Sequence, residues 1–101
     1  MNKEYKSFSE FYPFYLSQHA NKACIRLHVI GSGLIVLLVL YAIFSTTWAL
    51  FLLVPVIGYG FAWVGHFFFE KNKPATFTYP IYSLIGDWVM FKDVLTGKIK
   101  I

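Results

Sequence analysis

Residues 27–69 read LHVIGSGLIVLLVLYAIFSTTWALFLLVPVIGYGFAWVGHFFF, and this stretch decides the fold because it contains no Asp, Glu, Lys or Arg. A helix needs about 20 apolar residues to cross a bilayer, so the stretch has room for two such helices. Its one polar cluster is Ser45-Thr46-Thr47, which predicts the turn between them. We therefore expect membrane spans at about 27–44 and 48–69, joined as a helical hairpin.

The composition of the whole chain favours the same fold. The 101 residues are 57% hydrophobic and only 14% charged, whereas soluble domains average about 25% charged residues. The alternative is a buried hairpin in a soluble protein, but the rest of so short a chain is too small to cover two apolar helices. The sequence predicts an all-α integral membrane protein with one domain, residues 1–101.

A shorter helix is predicted on each side of the hairpin. From Phe8 to His19, apolar side chains recur at three- and four-residue steps, which is typical of an amphipathic helix lying at the membrane interface. Ser7 or Ser9 is expected to cap it. The C-terminal helix, residues 78–95, is apolar but too short and too charged for a third span. We expect it to be interfacial or re-entrant.

The C-terminal helix has recognisable end signals. Thr78 is a candidate cap for its start, and Pro80 suits the first turn. Gly97 is expected to follow its end.

Basic residues flank the hairpin on both sides, and none lies in the turn. They are Lys3, Lys6, Lys22, Arg26, Lys71, Lys73, Lys92, Lys98 and Lys100. The positive-inside rule therefore predicts cytoplasmic termini, in a bacterial inner membrane or, in a eukaryote, the endoplasmic reticulum. Topology also accounts for the net charge of +4, so no nucleic-acid partner is predicted. Cys24 is the single cysteine, and it is given no role.

The hairpin is predicted to bring the three histidines to one membrane face. His19 ends the first helix, His28 begins the first span, and His66 lies near the end of the second. Glu70 follows His66 by four residues, so the two side chains can share a helix face. Asp87 can return to the same layer from the C-terminal helix.

These residue types suit a divalent transition metal. Two histidines and a carboxylate leave open positions on iron(II) for oxygen and substrate, and three histidines leave one open position on zinc. The competing interpretation makes each histidine an interfacial polar group and pairs Glu70 with Lys71 or Lys73, where an exposed ion pair contributes little. Spacing alone does not decide between the two interpretations.

Two runs carry a family resemblance: residues 14–34, FYLSQHANKACIRLHVIGSGL, and residues 58–91, GYGFAWVGHFFFEKNKPATFTYPIYSLIGDWVMF. The specific parts are H-x-N at His19–Asn21, L-H at Leu27–His28 and G-H-x-x-x-E-x-x-x-P-A at Gly65–Ala75. Over residues 11–97 the chain resembles the short bacterial branch of a small membrane-protein family. That family includes a fungal iron(II)-dependent 2-hydroxy fatty acid dioxygenase, which acts in the α-oxidation step of phytosphingosine breakdown.

The resemblance implies a cofactor and a reaction. Iron(II) would be bound by the three histidines, with Glu70 as a further ligand or as a group that orients a histidine. Glu70 and Asp87 would be the catalytic carboxylates. Oxygen would attack a 2-hydroxy fatty acid near its α-carbon and shorten it by one carbon. Arg26 or Lys73 would hold the substrate carboxylate, and the two spans would line a groove for the tail.

Several alternatives stay open at the sequence level. Ala20 stands where the fungal enzyme has a second histidine, so another metal or another substrate is an alternative. The same residues would also serve a metal-dependent hydrolase. A non-enzymatic membrane scaffold or lipid-binding protein would keep the fold without the chemistry. Gly58 and Ala62 form a small-xxx-small pair and are the predicted contact of a homo-oligomer.

Overall fold

The computed structural model describes residues 5–74 and 77–101. Within these residues all regular structure is helical, as predicted. The α-helices are α1 (Phe8–Ser17), α2 (Lys22–Phe44), α3 (Leu53–Val64) and α4 (Pro80–Leu95). A 3-10 segment, Trp48–Leu52, leads into α3, and a π-helical segment, Gly65–Glu70, follows it. Lys3 and Ala75, which entered the sequence predictions, lie outside the described residues.

The predicted hairpin is formed by α2 and by the continuous helix Trp48–Glu70. Each has 23 residues and is apolar enough to cross a membrane. Only 22% and 6% of their most apolar windows are buried, whereas the core helix of a soluble protein is mostly buried. The turn falls at Ser45-Thr46-Thr47, where Thr46 has a φ of 53° and the Ser45 hydroxyl donates to the Tyr41 carbonyl at 2.7 Å.

The first long helix begins earlier than the apolar stretch does. Its first residue is Lys22 rather than Leu27, because the Asn21 side chain caps it by accepting from the Ala23 N–H at 2.8 Å. Hydropathy misses this start, since Lys22 and Arg26 lie in the first turns of the helix. The second long helix begins at Trp48 and ends one residue beyond the predicted span.

The ends of the two short helices follow the sequence signals with one exception. Ser7 caps α1, and its side chain accepts from the Glu10 N–H. The predicted Thr78 cap of α4 is wrong, because the residue before Pro80 is Tyr79, which makes no side-chain cap bond. Pro80 needs no N–H partner at the first helical position, so α4 starts without a cap. Gly97, with a φ of 85°, follows its end as predicted.

The apolar face of α1 packs on protein. Phe11 and Tyr15 are fully buried in a cluster with Ile25 of α2 and Met90 of α4. The sequence predicted that this face would lie at the membrane interface. In the structure the face packs against α4 and the start of α2. The protein core therefore lies at the end of the hairpin where the chain enters α2.

Glycines allow the two long helices to pack closely. A Cβ on Gly31 would lie 2.9 Å from Phe61, and one on Gly65 would lie 2.9 Å from the Cys24 sulfur and 3.2 Å from its Cα. A Cβ on Gly58, which is predicted at an oligomer contact, would lie 3.4 Å from Ile35 of the same chain. The contact of Gly58 that the structure describes is therefore intramolecular.

We expect Gly65→Ala to destabilise the protein by about 1–3 kcal/mol, because the added methyl meets the α2 backbone. Gly60→Ala is the matched control: no atom lies within 4 Å of its added Cβ, and alanine favours a helix by up to about 1 kcal/mol. Thermal unfolding is measured in detergent by circular dichroism. Of the two variants, only Gly65→Ala should have a lower unfolding midpoint than the wild type. A midpoint unchanged by Gly65→Ala would show that the π-helical segment does not pack this closely on α2.

Candidate metal centre

The fold brings all three histidines to one point. His19 lies in the turn that follows α1, His28 comes from the second turn of α2 and His66 from the π-helical segment. Their ring centroids are 4.5 Å apart for His19–His28, 4.5 Å for His19–His66 and 5.0 Å for His28–His66. The exposed fractions are 3%, 6% and 2% in chain order. A buried group of this kind is unlike three independent interfacial histidines.

Each imidazole is held at Nδ1 by an oxygen that can only accept. The Nδ1–H of His19 donates to the Tyr15 carbonyl at 2.7 Å, and that of His28 donates to the Cys24 carbonyl at 2.8 Å. The acceptor for His66 is Oδ1 of Asn72, at 2.8 Å. A neutral imidazole with its proton on Nδ1 has a lone pair on Nε2. All three rings thus offer Nε2 as a ligand.

The amide of Asn72 is itself fixed. Its Nδ2 donates to the backbone carbonyl of Gln18 at 3.2 Å and to Oε1 of the same residue at 3.3 Å. The amide oxygen therefore faces His66. This one side chain joins the end of the second long helix to the end of α1 and sets the tautomer of His66.

The free nitrogens face one another at metal-binding distance. Nε2 of His19 and Nε2 of His28 are 3.2 Å apart. Two lone pairs at this distance repel unless a cation lies between them. Ligand nitrogens about 2.0–2.1 Å from one ion would be separated by about 2.8–3.0 Å in octahedral geometry and by about 3.3–3.4 Å in tetrahedral geometry. The observed 3.2 Å lies between these two values, so His19 and His28 fit one bound metal ion. A ligand atom of His66 lies within 4.8 Å of theirs.

The protonation state of His19 also suits a ligand. The pKa of His19 is lowered to about 2, mainly because burial penalises the charged imidazolium and also because of the nearby His28. His19 is therefore neutral at physiological pH. Its ring stacks on Tyr15 with the centroids 4.2 Å apart.

Cys24 is a buried free thiol in the same group. One ligand atom from each of His19, Cys24, His28 and His66 lies within 4.8 Å of the others, and the four residues could hold a metal ion. Its sulfur is 3.7 Å from Nδ1 of His28, on the side of the ring that faces away from Nε2. The thiol is thus beside the histidines and packs under Gly65.

Glu70 is hydrogen-bonded to the residue that caps α2. Its Oε2 accepts from the backbone N–H of Asn21 at 2.5 Å, and the Asn21 side chain donates to the Phe69 carbonyl at 3.4 Å. Among the described residues, Glu70 is not one whose ligand atom converges with the histidines. The geometry fits the second of its two predicted roles, a group that orients the site, because Asn21 is two residues from His19.

We expect Glu70→Ala to lower the unfolding free energy by about 1–3 kcal/mol, since a charge-assisted hydrogen bond between two chain segments is lost. Metal binding at saturating metal should largely survive. Glu70→Gln keeps an acceptor for Asn21 and should be milder. The measurement is metal content beside the thermal midpoint. Complete loss of metal in both variants, with the midpoint unchanged, would instead identify Glu70 as a ligand.

Asp87 is close enough to His66 for the charges of the two groups to interact, and it is paired with Tyr15. The Tyr15 hydroxyl donates to Oδ1 of Asp87. Burial, followed by the charge of Asp87, holds the pKa of Tyr15 well above its usual range, so the hydroxyl keeps its proton. The pKa of Asp87 is raised to about 6 by burial, and the bond from Tyr15 offsets part of that rise.

A cavity of about 190 Å³ begins at His28 and Asp87 and continues between the helices. Its remaining lining is mostly apolar and comes from one face of each of three helices. The lining residues are Gly31, Ser32 and Ile35 of α2, Val54, Pro55, Gly58 and Tyr59 of α3, and Pro80, Leu84 and Trp88 of α4. An apolar cavity with a polar end suits an amphiphile.

Arg26 and Lys73 do not contribute to this lining. Both are exposed. Their role in holding a substrate carboxylate stays a prediction, and the cavity walls offer it no support.

Three participants were missed by the sequence analysis: Asn72, Tyr15 and Cys24. Asn72 and Tyr15 act through hydrogen bonds between separate segments, which sequence spacing does not reveal. Cys24 precedes His28 by four residues, one helical turn. That spacing was a usable signal for its place beside the histidine.

Comparison with known proteins gives one family. The family model described as 2-hydroxy-palmitic acid dioxygenase Mpo1-like matches residues 5–99. The match includes every histidine and both carboxylates discussed above. Neither the curated proteins nor the solved structures contain a match to this chain.

Proposed function

The chain belongs to the Mpo1-like family, and from this premise we propose that it is an iron(II)-dependent membrane dioxygenase that shortens 2-hydroxy fatty acids by one carbon. The observation that carries the proposal is the convergence of three histidines whose Nδ1 atoms are all occupied by acceptors. Metal-binding histidines almost always donate their second N–H to such a partner.

His19, His28 and His66 would hold the metal through Nε2. Bound iron(II) would supply the oxygen chemistry that these side chains cannot perform alone. Three nitrogen ligands leave open positions for oxygen and for a substrate oxygen. Burial of the histidines keeps bulk water away from this centre. Cys24 is assigned to packing rather than to the ligand set, since its sulfur approaches Nδ1 of His28.

The cavity supports a fatty acid as substrate. The polar head would lie at His28 and Asp87, and the tail would follow the apolar walls of α2, α3 and α4. Helix α4 packs against α1 and α2, α3 packs against α2, and all of α2, α3 and α4 line the cavity. Leu84 and Tyr59 are exposed on its two sides. A tail could therefore extend from the cavity into lipid.

The surface supports a membrane location. Large apolar side chains are exposed along both long helices, and no charged residue lies between Arg26 and Glu70. We assign both termini to the cytoplasmic side of a bacterial inner membrane, or of the endoplasmic reticulum in a eukaryotic source. The metal centre then lies at the cytoplasmic face. A homo-oligomer is the proposed assembly, with its contact at Ala62 because Gly58 lines the cavity.

The test is oxygen-dependent turnover by purified protein loaded anaerobically with iron(II). Given 2-hydroxy acids of several chain lengths, the protein should consume oxygen and release acids one carbon shorter. His28→Ala, prepared in parallel, should do neither. An intact, iron-loaded protein that leaves the whole panel unchanged would refute the proposal. Zinc in place of iron would favour a hydrolase, and absence of any metal would favour a scaffold or lipid-binding protein.

A further inference from the structure

Two tyrosine–aspartate pairs join α1 to α4. The Tyr15 hydroxyl donates to Oδ1 of Asp87, and the Tyr12 hydroxyl donates to Oδ2 of Asp93 at 2.8 Å. Both pairs connect the same two helices through a tyrosine hydroxyl, so either can dock α1 on α4. They differ around the aspartate: Oδ1 of Asp93 has no hydrogen-bond partner among the described residues and lies 3.6 Å from the Lys92 ammonium.

Only one of the two aspartates lines the cavity. Asp87 forms part of the cavity wall beside His28, and Asp93 does not contribute to that wall. Tyr15 occupies one oxygen of Asp87. The other oxygen, Oδ2, has no hydrogen-bond partner in residues 5–74 and 77–101 and is left for a ligand. The Asp87 pair therefore presents an acceptor to the polar end of the cavity.

We propose that Asp87 binds the 2-hydroxyl group of the substrate and makes the site select 2-hydroxy acids over unsubstituted fatty acids. This inference rests on the proposed function. The substrate carboxylate is an anion, and the Asp87 carboxylate would repel it. The substrate carboxylate therefore belongs beside the metal-binding histidines. The 2-hydroxyl is a neutral donor one carbon away. It is the part of the head group that a carboxylate oxygen can accept from.

Tyr15 makes this recognition geometrically specific. Its hydroxyl fixes Asp87, its backbone carbonyl fixes His19 at 2.7 Å, and its ring stacks on that histidine. The hydroxyl-binding group and one metal ligand are thus oriented by the same residue. A Cβ on Gly86 would lie 3.0 Å from the Tyr15 ring, so this glycine lets α4 bring Asp87 within reach.

An unsubstituted fatty acid would leave the second oxygen of Asp87 desolvated without a partner. Loss of one hydrogen bond to a charged group should give a preference of about 10–100-fold for the 2-hydroxy acid, which corresponds to about 1.4–2.8 kcal/mol. The preference should be present in binding before any reaction occurs.

The experiment compares two matched double variants, Asp87→Ala/Tyr15→Phe and Asp93→Ala/Tyr12→Phe. Each removes both members of one tyrosine–aspartate pair; the Asp93 variant also releases Lys92, whose side chain is 63% exposed and can be solvated by water. Phenylalanine at position 15 keeps the ring on His19 and the backbone carbonyl that orients it. Iron(II)-loaded protein without oxygen binds its ligand but cannot turn it over. Displacement of a fluorescent fatty acid by 2-hydroxypalmitate and by palmitate then gives the preference directly, and iron content is measured on the same samples.

We expect the wild type and the Asp93 double variant to prefer 2-hydroxypalmitate by the same 10–100-fold. The Asp87 double variant should retain its iron and bind both acids about equally. If it keeps the wild-type preference, or if the Asp93 double variant loses it equally, the inference is overturned while the proposed function stands. If iron-loaded wild type binds neither acid, the proposed function fails as well.

Discussion

The His66→Ala variant is expected to bind iron at least about 100-fold more weakly than the wild type and to lose oxygen-dependent turnover. Removing a metal ligand lowers metal affinity more than removing a hydrogen-bond partner of a ligand does. For such a partner, losses of affinity of about 10–100-fold are typical. The fold should persist, because His66 lies at the end of the second long helix and its neighbour Gly65 keeps the contact with Cys24. Iron titration under anaerobic conditions measures the affinity, and circular dichroism monitors the helices.

Cys24→Ser is the matched control for His66→Ala. This substitution replaces the thiol in the same buried group of candidate ligands, whose other members are histidines, and it changes the size of the side chain little. Since its sulfur approaches Nδ1 of His28 rather than Nε2, we expect Cys24→Ser to keep its iron. Equal loss of iron in both variants would make the thiol a ligand and would change the ligand set from three nitrogens to a mixed one.

The Asn72→Ala variant is expected to weaken iron binding by about 10–100-fold. Without Oδ1 of Asn72, the Nδ1–H of His66 has no acceptor at 2.8 Å, so the ring is free to rotate or to place its proton on Nε2. Either change removes a ligand nitrogen from the centre. Anaerobic iron titration gives the affinity, and proton-detected nitrogen NMR of the histidines reports the tautomer directly.

Two further variants separate tautomer control from simple docking. Asn72→Asp keeps an acceptor for His66 but loses the amide donor to Gln18, whereas Gln18→Ala removes only one of the two acceptors of that donor. We expect near-normal iron affinity in both. An affinity that falls in Gln18→Ala as far as in Asn72→Ala would mean that Asn72 acts by joining the segments and not through the His66 tautomer.

The hairpin could be predicted because one property determines it. Absence of charge over residues 27–69 and the polar turn at 45–47 are visible in sequence, and the helices end close to those limits. The start of α2 could not be read the same way, since Lys22 and Arg26 belong to the helix although they are charged. There the capping residue Asn21, rather than hydropathy, sets the boundary.

The histidines could be placed together because helix connectivity alone determines their side of the hairpin. Their partners could not, because each partner is chosen by contacts between segments distant in sequence. The bond from the Asn21 N–H to Glu70 shows the difference. It physically joins the H-x-N run to the G-H-x-x-x-E run, and the spacing within either run predicts nothing about the other. The contacts of Tyr15 with Asp87 and His19 also could not be predicted, because Asp87 is distant in sequence. The sequence pattern instead placed the face that carries Tyr15 at the membrane interface.

The measurement that tests the central claim most directly is the X-ray absorption spectrum of protein loaded anaerobically with one equivalent of iron(II). The convergence of His19, His28 and His66 on one point predicts bound iron with the outer-shell scattering of three imidazoles. A spectrum of iron in an all-oxygen environment without imidazole scattering, or failure to retain iron at all, would contradict a three-histidine iron centre.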